Sequence, residues 1–246
     1  ENRYLVQRGL ERLRSTDRLG LQSLYETAEI DAANLSEEHI GFALAPRLNA
    51  IGRLGDANPV VEFLLTTDPT FARVTAAQLD GLNAERKHLC DRVFQSALAL
   101  IAENTRWLDL PALVIAHPDW HPGVVGIVAS RLVELFARPV VLLVAPPEQP
   151  MRGSARSIAG VNLIRAIEDQ SDLLLAFGGH PMAAGLSLTP DNLPAFREGL
   201  ARSVDAQLAG RPLEPELPIE VYQPITSARL ERIEEYAPLA PFGQGN

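Results

Sequence analysis

The chain has 246 residues, of which 46% are apolar and 22% charged, with a net charge of -9. That composition buries a core and excludes a disordered tail, and the acidic balance argues against a surface coated for nonspecific nucleic-acid binding while leaving room for a local basic cleft. No run approaches the roughly 18 uninterrupted apolar residues of a membrane span. The Glu1-to-Arg18 start has no signal-peptide apolar region, so a cytoplasmic protein without membrane contact is expected. The single cysteine, Cys90, excludes an intrachain disulfide and a thiolate cluster, and its place in a helical pattern reads as core. Lys87 is the one lysine among 22 basic residues, which excludes a P-loop and leaves arginine, the side chain matched to phosphate, as the cation of this protein.

From Asn2 to about Asn104 the spacing predicts helices: a first one through Leu5, Leu10 and Leu13, then Leu19 to Ala28, Ser36 to Leu44 and Pro59 to Thr66. After the Thr67-Asp68-Pro69 entry signal, an apolar stripe from Phe71 to about Ala102 predicts one long helix of on the order of 50 Å.

From Pro111 the pattern turns to α/β. Buried strands are expected at Ala112 to Ala116 and Pro139 to Ala145, joined by a helix from Pro122 to Phe136. A polar strand, Met151 to Ile158, follows, then a helix near Val161 to Gln170, the glycine segment Gly178-Gly179, a short strand at Gly185 to Leu188 and a helix from Asp191 to Leu208. Beyond a linker from Gly210 to Pro218 come a strand at Ile219 to Tyr222, a helix at Ser227 to Tyr236, and a Pro241-to-Asn246 ending that reads as the lead-in to a further domain. The fold class expected is α/β: a helical segment and long connecting helix, then an α/β domain with a mixed sheet.

Four segments carry more polar and glycine residues than folding requires. In Pro46 to Arg53, Arg47 and Arg53 flank Asn49, which reads either as a phosphate clamp or as a solvated helix end. In Trp120 to Arg131, Pro122 and Gly123 open a helix beside Trp120 and His121, which suits an anion site with base stacking, or a hydrophobic cap with an N-cap neighbour. In Arg152 to Ser157, strand alternation puts Arg152, Ser154 and Arg156 on one face, as a row of phosphate donors or a solvated arginine row. Gly178-Gly179-His180 lets a backbone approach a ligand while His180 donates a hydrogen bond, or forms a plain turn.

The order of these motifs, from Pro46 to Arg53, Trp120 to Arg131, Gly153 to Ser157, Phe177 to Gly185 and Ala240 to Asn246, resembles the single-stranded-DNA exonucleases of the DHH phosphoesterase superfamily, over almost the whole chain. The resemblance implies residues 1 to 67 as the end of a DHH domain, 68 to 104 as a connecting helix, 109 to 209 as a DHH-associated substrate-binding domain, and 213 to 246 as the lead-in to an oligonucleotide-binding fold. It implies 5′ to 3′ release of mononucleotides from single-stranded DNA in repair and recombination, with two divalent ions, Mn2+ or Mg2+. His180 would lie near the scissile phosphate, Gly178 and Gly179 beneath it, Arg47, Asn49 and Arg53 on the approach, Trp120 and His121 against the strand, and Ser154 with Arg156 at a neighbouring phosphate. The sequence lacks the family's Asp-His-His, so the metal ligands are expected outside this chain and the chain alone is expected to be inactive. A monomer is expected, with a helicase or single-strand-binding protein as partner. A short-oligonucleotide or nucleotide phosphatase of the same superfamily and a noncatalytic binding module are the alternatives.

Overall fold

Asp68 starts the long helix by the chemistry its sequence position suggests: its carboxylate accepts from the backbone N–H of Thr70 at 2.8 Å and of Phe71 at 3.3 Å, and Pro69 needs no such partner. In the computed structural model, which describes residues 2–213, 219, 221–227 and 229–242, this helix runs unbroken from Pro69 to Glu103. The chain divides within it into two units, one comprising the described residues of 2–86 and 219–242, the other those of 87–213.

The first unit is helical: α1 (Asn2–Arg14), α2 (Leu19–Thr27), α3 (Ala45–Leu54), α4 (Asn58–Leu65), the start of α5 (Pro69–Glu103) and, near the chain end, α9 (Leu230–Tyr236). Leu10, Leu24, Tyr25, Leu35, Leu44, Phe63, Ala76 and Leu79 form its core. Gly20 lies against the carbonyl of Phe63, where a Cβ has no room, so α2 and α4 touch backbone to backbone. The helix expected over Ser36 to Leu44 is, from His39 to Leu44, a π-helix that runs directly into α3. Apolar spacing does not distinguish the two, because one extra residue in a turn leaves the stripe almost in place.

The second unit carries β1 (Leu113–His117), α6 (Pro122–Phe136), β2 (Val140–Val144), β3 (Met151–Arg156), α7 (Leu163–Glu168), β4 (Leu174–His180), β5 (Ala183–Leu188) and α8 (Leu193–Leu208). The five strands lie in the order β1-β2-β3-β5-β4, with β1 and β2 parallel and every other pair antiparallel. This is the mixed sheet that the sequence predicts. One face packs Leu113, Ile115, Val140 and Leu142 against α6 and the second half of α5, where Cys90 is buried. The other packs Val114, Val141, Leu143, Met151 and Ala155 against α7 and α8.

Two half-buried arginines hold the segment between α5 and the sheet. Arg138 donates to the carbonyls of Leu108, Leu110 and Phe136, and Arg197 donates twice to the carbonyl of Val114 while its guanidinium lies 4.9 Å from the Trp107 ring centre. Burial pulls both guanidinium pKa values down, with Arg106 adding repulsion at Arg197.

Some boundaries differ. The strand expected at Ile219 to Tyr222 is absent among the described residues: Ile219, Val221 and Tyr222 are exposed and outside any strand, because β-branched and aromatic residues need a neighbouring strand to pair with. The following helix begins at Leu230, after a 3-10 turn at Ile225–Ser227 in which Ser227 Oγ donates to the carbonyl of Pro224. Conversely, β4 runs straight through Gly178 and Gly179, where a glycine segment between elements was expected. The linker's residues 214–218 and the 243–246 ending lie outside the described residues.

Candidate nucleic-acid interface

The register of β3, β5 and β4 gathers two of the four motif segments. Ser154 pairs with Gly185, which pairs with Gly178; Arg156 pairs with Ala183, which pairs with His180; Arg152 pairs with Ser187. Paired residues share a face, and adjacent strands are about 4.8 Å apart, so Arg156 and His180 stand roughly 10 Å apart across two strands on one side of the sheet. On this side α6 contacts β2 and β3, while β4 is exposed along most of its length.

The result is an open trough of about 500 Å³ floored by small residues, Ala176, Gly178, Gly185 and Ser187, with Arg152 and Gly153 at its margin. Ser154 and Arg156 adjoin it on the α6 side. Nothing lies within 4 Å of where a Cβ of Gly178 would be, and at Gly185 the nearest atom is 3.8 Å away. These two paired glycines therefore answer no packing need; they keep the floor low enough for a ligand to reach the backbone. Gly179 is different. Its φ is +154° and a Cβ there would meet the carbonyl of Ala183, so the conformation itself requires glycine.

His180 closes β4, and its Nδ1 accepts from the backbone N–H of Met182 at 3.3 Å, which leaves Nε2 as the nitrogen that carries the proton. Arg156 Nη1 donates to the carbonyl of Ala155 at 2.9 Å, which holds the guanidinium beside the sheet. Above it, Gly126 of α6 is the contact residue: a Cβ there would lie 2.8 Å from Arg156 Nη2 and 3.3 Å from Ser154 Oγ. Arg152 lies where the alternation along β3 puts it, on the face of Ser154 and Arg156, and Gly185 closes the Phe177-to-Gly185 motif. Gly126 and Ser187 are the residues that sequence reasoning did not place in the site, because their part in it depends on the packing of α6 and on the register of β5.

The Trp120 segment is built otherwise. Trp120 is 4% exposed, packed with Val124, Val125 and Ile115, and its Nε1 donates to Ser96 Oγ at 3.0 Å. Its ring stacks on His117 with centres 5.5 Å apart. The ring is packed among core residues and one imidazole, the arrangement of a hydrophobic cap on the sheet, which is the alternative to base stacking that its sequence position also allows. His121 is the N-cap of α6, its Nδ1 accepting from the backbone N–H of Gly123 at 3.1 Å.

In the helical unit, Arg47 and Asn49 with Arg53 part company. Arg47 is largely buried, donating from Nε to Asp80 at 2.8 Å and from Nη1 to the carbonyl of Ala43 in the π-helix, also at 2.8 Å. Nε and Nη1 thus brace α3 against α5 and the π-helix. Asn49 and Arg53 are exposed, one helical turn apart on the same side of α3.

Residues 109–205 match the family described as DHHA1 domain, and the sheet unit with its glycine-floored trough is a domain of that class. The relatives are more particular. Across its whole length the chain is 40% identical to the single-stranded-DNA-specific exonuclease RecJ of Bacillus subtilis (strain 168), covering 31% of that protein, and over 87% of its length it is 44% identical to RecJ of Dickeya dadantii (strain 3937), covering 38%. A crystal structure of Thermus thermophilus RecJ in complex with Mn2+ superposes with a TM-score of 0.74 at 34% identity, over 83% of this chain and 30% of that one. A crystal structure of exonuclease RecJ bound to manganese gives 0.72 at 33%, over 86% and 52%. The chain is thus homologous to a portion of RecJ, and it spans about a third of the length of the curated relatives it matches.

Proposed function

We propose that this chain is the DNA-holding part of a 5′ to 3′ single-stranded-DNA exonuclease that releases mononucleotides in DNA repair and recombination. The observation that carries the reading is the strand register that puts Ser154, Arg156 and His180 around a glycine floor on one open face. A phosphodiester lying over Gly178 and Gly185 would have the Arg156 fork and the Ser154 hydroxyl on one side and the His180 Nε2–H on the other, with Gly179 holding the strand in shape. Asn49 and Arg53 would contact the approaching strand from the helical unit, while Arg47 sets the course of α3.

Among the described residues, no group of three His, Cys, Asp or Glu side chains could hold a metal ion. The described residues thus do not fit the Mg2+ or Mn2+ that the neighbouring RecJ structures contain, and on this reading the two ions of the intact enzyme would be held by residues outside this chain. The chain alone accordingly binds DNA without cutting it. Metal-dependent release of mononucleotides by the purified chain would overturn that assignment.

No helix among the described residues is long and apolar enough to cross a membrane, and the reading is of a cytoplasmic monomer that meets single-stranded DNA with a helicase or single-strand-binding protein. The test compares 5′-phosphorylated with 5′-hydroxyl strands on the intact enzyme carrying Arg156→Ala. A terminal phosphate bears extra charge, so the variant should weaken binding of the phosphorylated strand by about 1.5 to 3 kcal/mol more than the other, less at high salt. An equal loss for both strands removes Ser154 and Arg156 from the terminal phosphate.

A further inference from the structure

A second cavity, of about 240 Å³, lies in the sheet unit between α5 and the loop that joins β1 to α6. Leu89, Arg92, Val93 and Ser96 line it from the helix, and His117, Asp119, Trp120 and His121 from the loop. We propose that it binds a nucleoside monophosphate. The proposal uses none of the trough residues, and only its biological sense, as a seat for a product of strand degradation, rests on the function proposed above.

The donors carry the argument. His117 Nδ1 accepts from the backbone N–H of Asp119 and His121 Nδ1 from that of Gly123, both at 3.1 Å, so each neutral imidazole keeps its proton on Nε2. Ser96 Oγ accepts from Trp120 Nε1 and has its own O–H left to donate. Arg92 is exposed and makes no hydrogen bond or ion pair among the described residues. Four donors without an acceptor among the described residues thus line one cavity, which is the lining of a site for an oxygen-rich ligand.

The rest of the wall selects among such ligands. Leu89, Val93 and the edge of Trp120 make part of it apolar, which a bare phosphate does not use. Asp119 is exposed and would repel a bare anion, but it accepts from a sugar hydroxyl or an exocyclic base amine. The volume of about 240 Å³ lies just below the roughly 300 Å³ at which pockets for drug-sized ligands begin, so it limits the occupant to one nucleotide at most and excludes a dinucleotide. A metal ion is excluded as the occupant by geometry, since His117, Asp119 and His121 do not gather as ligands around one point.

The experiment titrates the 246-residue chain with thymidine 5′-monophosphate while the histidine ring nitrogens are followed by long-range proton–nitrogen spectra, with inorganic phosphate as a second probe. Saturable shifts at His117 and His121 are expected with the nucleotide, together with weaker binding of phosphate. Arg92→Gln, which breaks no hydrogen bond or ion pair among the described residues, should weaken nucleotide binding about tenfold or more. His121→Asn, which keeps an acceptor for the Gly123 N–H, should weaken it too, and Arg156→Ala should leave it unchanged. Absence of saturable shifts up to about 10 mM nucleotide overturns the proposal, as does equal affinity for phosphate or an Arg92→Gln chain that binds like the parent. Loss of binding in Arg156→Ala but not in Arg92→Gln would put the nucleotide in the trough, overturning this site while leaving the function proposed above intact. Failure of the strand comparison with Arg156→Ala, by contrast, leaves this cavity standing.

Discussion

Gly126 on α6 and Arg156 on β3 touch so closely that a single methyl group on the first would lie 2.8 Å from Nη2 of the second. The guanidinium is the far end of a flexible side chain, so it can move aside at small cost, but it then leaves the position it holds beside Ser154. Gly126→Ala should therefore change thermal stability by less than about 1 kcal/mol, the scale of substitutions that create no cavity and bury no charge. In the intact enzyme the same variant should lose discrimination between 5′-phosphorylated and 5′-hydroxyl strands, as Arg156→Ala is expected to do. Unfolding curves and two dissociation constants check this, and full discrimination in Gly126→Ala would show that the contact does not position Arg156.

The two glycines of the β4 motif should respond in opposite ways. Gly179→Ala puts a Cβ against the carbonyl of Ala183 in a backbone conformation that suits only glycine, so it should cost about 3 kcal/mol or more. Gly178→Ala meets nothing within 4 Å and should leave stability almost unchanged, yet it raises the floor of the trough and should weaken single-stranded DNA binding. A Gly178→Ala chain with parental affinity for DNA would argue that no ligand approaches the β4 backbone there.

The sequence was readable where each element's reason is local. Pro122 to Phe136 has the same bounds in the sequence reading and in the structure, because Pro122 at the first turn and the apolar stripe are both internal to the helix. The entry of α5 at Asp68 is legible for the same reason. What could not be read depends on partners. Gly178-Gly179 has low strand propensity and becomes strand only because β5 pairs with it, whereas Ile219, Val221 and Tyr222 have high propensity and no described strand beside them. The pairing of Ser154 with Gly185 and Gly178 is a matter of register, and nothing in either segment states it. Arg47 reads in sequence as a phosphate clamp or a solvated helix end because its partner, Asp80, lies 33 residues away on another helix. A loop tryptophan reads alike whether it stacks on a base or on its own core.

Trp120 can be tested on that last point, because its two roles predict different losses. As a core residue bonded to Ser96, it should give up about 1 kcal/mol of stability as Trp120→Phe, chiefly the hydrogen bond from Nε1, and about 3 to 5 kcal/mol as Trp120→Ala, which empties a large buried volume. As a stacking platform it would give up about 1 to 3 kcal/mol of single-stranded DNA affinity on truncation, with little change in stability. The burial of the ring decides for the first. Trp120→Phe, measured at a temperature where both proteins are folded, should bind single-stranded DNA like the parent while unfolding at a lower temperature. A variant with parental stability and weakened DNA binding would return Trp120 to the interface and require the β1–α6 loop to open when the strand arrives.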